Sequence, residues 1–228
     1  MKQIVLVAHG SPSDPEPQED TMRRLAEAVA AQSPGSLIRG ATLAMPGSLE
    51  GALAGLDAPI IYPFFMAEGW FTKRELPRRL KEIGVEARHM DPFGVDPALP
   101  ELITQACLQA ASSAGIEPES ADLILTAHGS KVARKSKNSA YDMAALLRRK
   151  TPFWRVQVAL IEEPPFLEDI ARQSNSGICL PFFALRAGHV LDDIPDALDA
   201  ARFDGELLPP IGEHPEVPAL IAAAIARL

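Results

Sequence analysis

The sequence predicts an α/β fold built as two homologous halves, each a four-stranded parallel sheet flanked by helices. Three observations carry this expectation. Apolar runs rich in β-branched residues alternate with stretches of helical period, the pattern of strand-helix-strand units around a parallel sheet. The same order of elements occurs twice, and three sequence landmarks recur at nearly constant spacing.

Taken in order, Ile4-Val5-Leu6-Val7-Ala8 reads as the opening strand and residues 19–31 as the first helix. Strands at 37–43, 59–65 and 85–89 then alternate with helices at 49–56, 73–83 and 99–114. The series restarts with strands at 122–126, 155–161, 177–183 and a short one near Leu207. Helices at 136–150, 165–172, 191–201 and 217–228 accompany them.

The landmarks fix the register of the repeat. Ala8-His9-Gly10-Ser11 returns as Ala127-His128-Gly129-Ser130, a shift of 119. The segment from Pro63-Phe64-Phe65 to Pro77 returns without a gap as Pro181-Phe182-Phe183 to Pro195, a shift of 118. Pro92-Phe93-Gly94 to Pro97 returns as Pro210-Ile211-Gly212 to Pro215, again 118. The chain therefore divides into halves 1–116 and 117–228, each Rossmann- or flavodoxin-like.

Composition narrows the function. With 228 residues, 47% apolar and 23% charged, neither disorder nor a fibrous repeat fits. No apolar stretch approaches the roughly 18 residues of a membrane span, and the N-terminal run is too short for a signal peptide, so a cytoplasmic protein with no membrane partner is expected. Cys107 and Cys179 are too few for a disulfide framework or a four-cysteine zinc site, and both read as buried thiols. A net charge of −8 argues against nucleic-acid binding.

Ligands of open parallel sheets bind outside the carboxyl ends of the strands, where strand order reverses. In the second half His128 follows the first strand, Glu162 the second, and His189 lies shortly after the third. Glu162 is preferred over Glu163 by alignment of the halves. The first half keeps His9 but has Ala44 and Phe71 at the other two positions, so its site is depleted and His9 reads equally well as architecture. His89 and His214 read as surface and turn residues.

Two imidazoles and a carboxylate suit cobalt, nickel, iron or zinc with open positions for substrate, and they equally suit proton transfer near neutral pH. The residues leave both uses open. Beyond His128 stand Lys131, Arg134, Lys135 and Lys137, where the first half has Asp14, Glu16, Glu19 and Asp20. Each half nets −4, so this basic cluster is local. Cations are disfavoured at a helix start, which points to recruitment of a polycarboxylate ligand.

Other chemistries lack their parts. No G-x-G-x-x-G follows a first strand, no phosphate-binding G-x-x-x-x-G-K-[ST] occurs, and there is no G-x-S-x-G nucleophile elbow. No nucleotide cofactor is expected. A histidine phosphatase places arginine before its histidine, whereas this chain has Ala8 and Ala127.

The strand ending in Ala-His-Gly-Ser, the segment 181–195 and Pro209 to Pro215 together resemble the sirohydrochlorin cobaltochelatase (CbiX-type) family of class II chelatases. Ala159-Leu160-Ile161-Glu162 looks like that family's Ala-Phe-Leu-Glu pattern. The resemblance covers nearly the whole chain, once per half. It implies a chelatase-like fold and insertion of a divalent metal, cobalt first and nickel or iron as alternatives, into a sirohydrochlorin-type tetrapyrrole without ATP. The route served would be that to cobalamin or sirohaem.

By the same resemblance His128, Glu162 and His189 would be metal ligands and proton acceptors. Ser130, Lys131, Arg134, Lys135 and Lys137 would meet the substrate, with His9, Trp70 and Phe71 of the first half as further contacts. Placing the triad in the second half is similar to the related anaerobic cobaltochelatases and ferrochelatases. Ala44 and Phe71 depart from the long CbiX-type pattern of paired histidines in the first half. A monomer with pseudo-dimeric halves is expected, its crevice a slot for a flat ring. The rival readings are a non-catalytic tetrapyrrole or metal carrier on the same fold and a phosphatase-like hydrolase.

Overall fold

Ile4, Val5, Leu6 and Val7 are all fully buried, which makes the strand they form the centre of a sheet covered on both faces. This strand, β1 (Lys2–Ala8), pairs in parallel with β2 (Ser36–Thr42) on one side and β3 (Ile60–Pro63) on the other, and β4 (Arg88–His89) closes the edge. The second sheet repeats this with β5 (Asp122–Ala127) between β6 (Arg155–Leu160) and β7 (Gly177–Pro181), and β8 (Gly205–Leu207) outside β7. The orders β2-β1-β3-β4 and β6-β5-β7-β8 are the same. The computed structural model describes residues 1–129, 134–186 and 188–228, without the side chains of Arg134, Lys135, Ser136 and His189.

Alternation along β1 sends its side chains to two layers. Val5 and Val7 join Ala41, Ile61 and the buried faces of α2 (Ser48–Leu53) and α3 (Leu76–Ile83) in one cluster. The helix α1 (Glu16–Ala31) buries Met22, Ala26 and Val29 and packs along β1 and β2. In the second sheet Ile124, Ala159 and Cys179 meet α6 (Leu167–Arg172) and α7 (Ile194–Ala201), while α5 (Arg134–Lys150) lies along β5 and β6.

Several elements begin or end away from their expected positions, and two of them do so for a clear local reason. The strand expected over 85–89 pairs only at Arg88–His89, because the Val85 N–H donates to Leu80 O (2.9 Å) in the left-handed Gly84 cap of α3. The helix expected over 73–83 becomes a π-helical turn, Phe71–Glu75, before α3 starts. Pro77 has no N–H to give the carbonyl four residues back, so the hydrogen-bond register widens there. Pro195 stands at the matching place, and a second π turn, His189–Asp193, precedes α7.

The repeated Pro-x-Gly landmark also has a steric cause. The Gly94 N–H donates to Phe65 O (2.9 Å) and the Gly212 N–H to Phe183 O (3.0 Å), pressing a 3₁₀ turn onto the loop after the third strand. A Cβ at position 94 would lie 2.1 Å from Met66 O, and one at 212 would lie 2.0 Å from Ala184 O. Only glycine fits such an approach.

The compact units differ from the expected division at 116 and 117. One comprises Met1–Asp96 with Pro215–Leu228, the other Pro97–His214. Each is thus completed by the other half's last helix: α8 (Val217–Ala226) packs on α1, and α4 (Leu99–Ala114) packs on β7, β8 and α5. The reason is burial. Val217, Leu220, Ile221, Ala222, Ala224 and Ile225 give α8 an apolar surface that needs cover, and Lys2 Nζ donating to Ile225 O (2.8 Å) and Arg227 pairing with Asp96 (2.9 Å) anchor its end. The 1–116 and 117–228 halves mark the repeat; tertiary packing draws the spatial boundary one helix earlier.

Candidate active site

In both units β1 or β5 is flanked on one side by the second strand and on the other by the third, so strand order reverses at its carboxyl end. His9 and His128 stand at that point. The parallel ladder runs one residue past each strand: the Ala44 N–H donates to His9 O (2.9 Å), and the Glu162 N–H donates to His128 O (3.1 Å). This equivalence sets Glu162 beside His128 by backbone pairing.

The glycine after each histidine is left-handed, φ +79° at Gly10 and +74° at Gly129, and turns the chain away from the sheet. A Cβ at Gly129 would lie 3.1 Å from Glu163 Cγ and 3.2 Å from Leu160 Cβ, so the turn is also tightly packed. His128 Nδ1 lies 2.7 Å from Gly129 O, and His9 Nδ1 lies 2.7 Å from Gly10 O. A carbonyl only accepts, so Nδ1 carries the proton and Nε2 is the acceptor nitrogen. That is the tautomer required of an imidazole that ligates a cation or takes a proton through Nε2.

Glu162 Oε2 is 3.6 Å from His128 Nδ1, and both side chains reach solvent. Glu163 has a different partner. It is largely buried and receives Lys137 Nζ at 2.8 Å, so of the four cations expected to greet the substrate Lys137 is held by protein. Lys131 and Ser130 lie outside the described residues, as do the side chains of Arg134 and Lys135, whose backbone opens α5. His189 opens the π turn before α7, and its side chain is likewise outside them.

The first unit carries different side chains at the matching positions. Phe71 opens the corresponding π turn and packs edge-on against His9, with ring centroids 4.3 Å apart. Phe65 stacks with Phe71 (6.0 Å) and Trp70, 58% exposed, meets it edge-on at 5.1 Å. Ala44 brings no carboxylate. His89 ends β4 exposed, away from this cluster.

Two segments, residues 3–110 and 122–228, match the CbiX family model. The chain belongs to the CbiX family. The two matches follow the internal repeat, so the two halves are two copies of one CbiX unit. A curated relative from Halobacterium salinarum, "Probable sirohydrochlorin cobaltochelatase", is 25% identical over 226 residues, covering 86% of this chain and 76% of that protein. A solved structure described as CbiX, "the terminal Enzyme for Biosynthesis of Siroheme in Denitrifying Bacteria", is 45% identical with TM-score 0.91 and 99% coverage of both chains. SirB from Bacillus subtilis with Fe3+ shares the fold at TM-score 0.78 and 18% identity, over 100% of this chain and 95% of that one. This CbiX chain is an enzyme of the metal-chelatase kind. None of its described helices is long and apolar enough to cross a membrane.

Sequence reasoning missed the tie between Lys137 and Glu163. The only trace of it is the reversal of charge at the start of the first helix, where the other unit has Glu19.

Proposed function

We propose that the chain inserts a divalent metal into a sirohydrochlorin-type tetrapyrrole without ATP, with His128, Glu162 and His189 as the acting residues. The observation that carries this reading is the His128 and Glu162 pair at the switch point, with the imidazole tautomer set by Gly129 O. The relative at 45% identity, named for siroheme biosynthesis, favours iron(II) as the ion. The curated relative's name supports cobalt(II) as the second choice.

The reaction is balanced without a cofactor: a divalent ion replaces two pyrrole N–H protons, and both protons leave. His128 Nε2 and Glu162 are chemically suited to strip water from the ion, hold it, and accept those protons. Lys131, Arg134 and Lys135 would draw in the carboxylates of the substrate. His9, sealed edge-on by Phe71, serves as architecture in its own unit.

Anaerobic incubation with sirohydrochlorin and iron(II), cobalt(II) or nickel(II), followed by absorption, tests this. Metallation faster than the uncatalysed rate is expected. It should be lost in His128→Ala and in His189→Ala and fall about 100-fold or more in Glu162→Gln. Tight macrocycle binding with no acceleration would support a carrier instead.

A further inference from the structure

Both units fasten the start of the helix after their central strand to the end of the second strand or the segment that follows it, but with opposite charge. In the first unit the acid is on the helix: Glu19 Oε2 accepts from Thr42 N (2.9 Å) and Thr42 Oγ1 (2.7 Å), and its Oε1 accepts from Ser48 Oγ (2.6 Å). In the second the cation is on the helix and the acid on the loop: Lys137 Nζ donates to Glu163 Oε2 at 2.8 Å. The Glu163 side chain is 13% exposed and that of Lys137 31%, so solvent screens this pair less than the ion pairs of the open surface.

The place of this tie matters more than its strength. Glu163 directly follows Glu162 and rests against Gly129, the residue directly after His128. The Glu162 N–H is bonded to His128 O on the other side. The Glu162 peptide is therefore held by the ladder on one side, and the residue that follows it is tied through its side chain to the helix by the lysine. Reversing the charges also pairs Glu163 with a cation, while Glu162 reaches solvent beside His128.

We propose that Lys137 is a positioning residue: through Glu163 it holds the Glu162 and His128 backbones in register for the incoming ion. It does not contact the macrocycle. The assignment rests on the chelatase reading above and adds to it the side chain that orders the ligand set. Direct partners of metal ligands typically contribute about 10- to 100-fold in metal affinity, and Lys137 acts one residue removed from Glu162, so the lower end, about tenfold, is expected.

The test is steady-state metallation of sirohydrochlorin by the full chain with cobalt(II) as probe, with KM for metal and KM for macrocycle measured separately. Lys137→Ala should raise KM for cobalt about tenfold, lower kcat by a smaller factor and leave KM for sirohydrochlorin unmoved. Lys137→Arg should restore KM for cobalt, and so should the reversed pair Lys137→Glu with Glu163→Lys. An unchanged KM for cobalt in Lys137→Ala, a rise confined to KM for sirohydrochlorin, or failure of both Lys137→Arg and the reversed pair to restore it overturns the assignment. A wild-type chain lacking His128-dependent metallation overturns the functional reading itself, a different result from any of these.

Discussion

Burial converts the chemistry of single side chains. Cys107 and Cys179 are both buried and free, and burial pushes each thiol up to about 12, Thr126 Oγ1 lying 3.3 Å from Cys179 Sγ. The thiolate is the reactive form, so at pH 8 almost none is present in the fold. Iodoacetamide should leave both unlabelled in the native protein at pH 8 and modify both in denaturant, as read by mass spectrometry. A raised thiol also makes the unfolded chain the better acid above about pH 8.5, so native stability falls as pH rises beyond that value. His128 shows the opposite use of a residue. The sequence places it after a strand, but the contact with Gly129 O sets which nitrogen it offers.

Elements hold one another through a few charged ties, and these carry pH dependence. In the π turn before α3, the nearly buried Glu75 accepts from Arg78 Nε (3.0 Å) and Nη2 (2.8 Å) and from Arg79 Nε (2.8 Å). Arg79 Nη1 also donates to Leu43 O (2.7 Å), joining the turn to the end of β2. The hydrogen bonds from Arg78 and then Arg79 hold the Glu75 carboxyl down to about 2. A depressed carboxylate stabilises the fold above its unfolded value of about 4.3, and that contribution is lost as pH falls from there toward 2. Urea denaturation between pH 5 and pH 2.5 should therefore show a steeper loss of stability in the wild type than in Glu75→Gln. A parallel decline in both would refute this account.

At the scale of the molecule, the helix at the end of each half belongs to the other half's unit. Ile221, fully buried in α8, is the point to probe. Ile221→Asp places an unpaired charge in a core and should cost roughly 3 kcal/mol. Hydrogen exchange should then rise in residues 2–31 of the first unit and remain low in 122–127 of the second, although Ile221 is part of the second repeat. The reverse pattern would mean that α8 serves its own half.

Much of this was legible in the sequence for an identifiable reason. Strand runs such as Ile4 to Val7, the helical periods and the repeated Ala-His-Gly-Ser and Pro-Phe-Phe landmarks are local signals, and alignment of the halves aligned the sites with them. That was enough to determine two parallel sheets, to place His9 and His128 in equivalent turns, and to show that Ala44 and Phe71 replace a glutamate and a histidine. Tertiary structure alone decided the rest. The Lys137 and Glu163 tie spans 26 residues, the bond of Lys2 to Ile225 spans 223, and the choice of unit for α4 and α8 depends on which apolar face is left uncovered. Such partners leave no periodicity along the chain, because charge pairing and burial act through space once the backbone has closed.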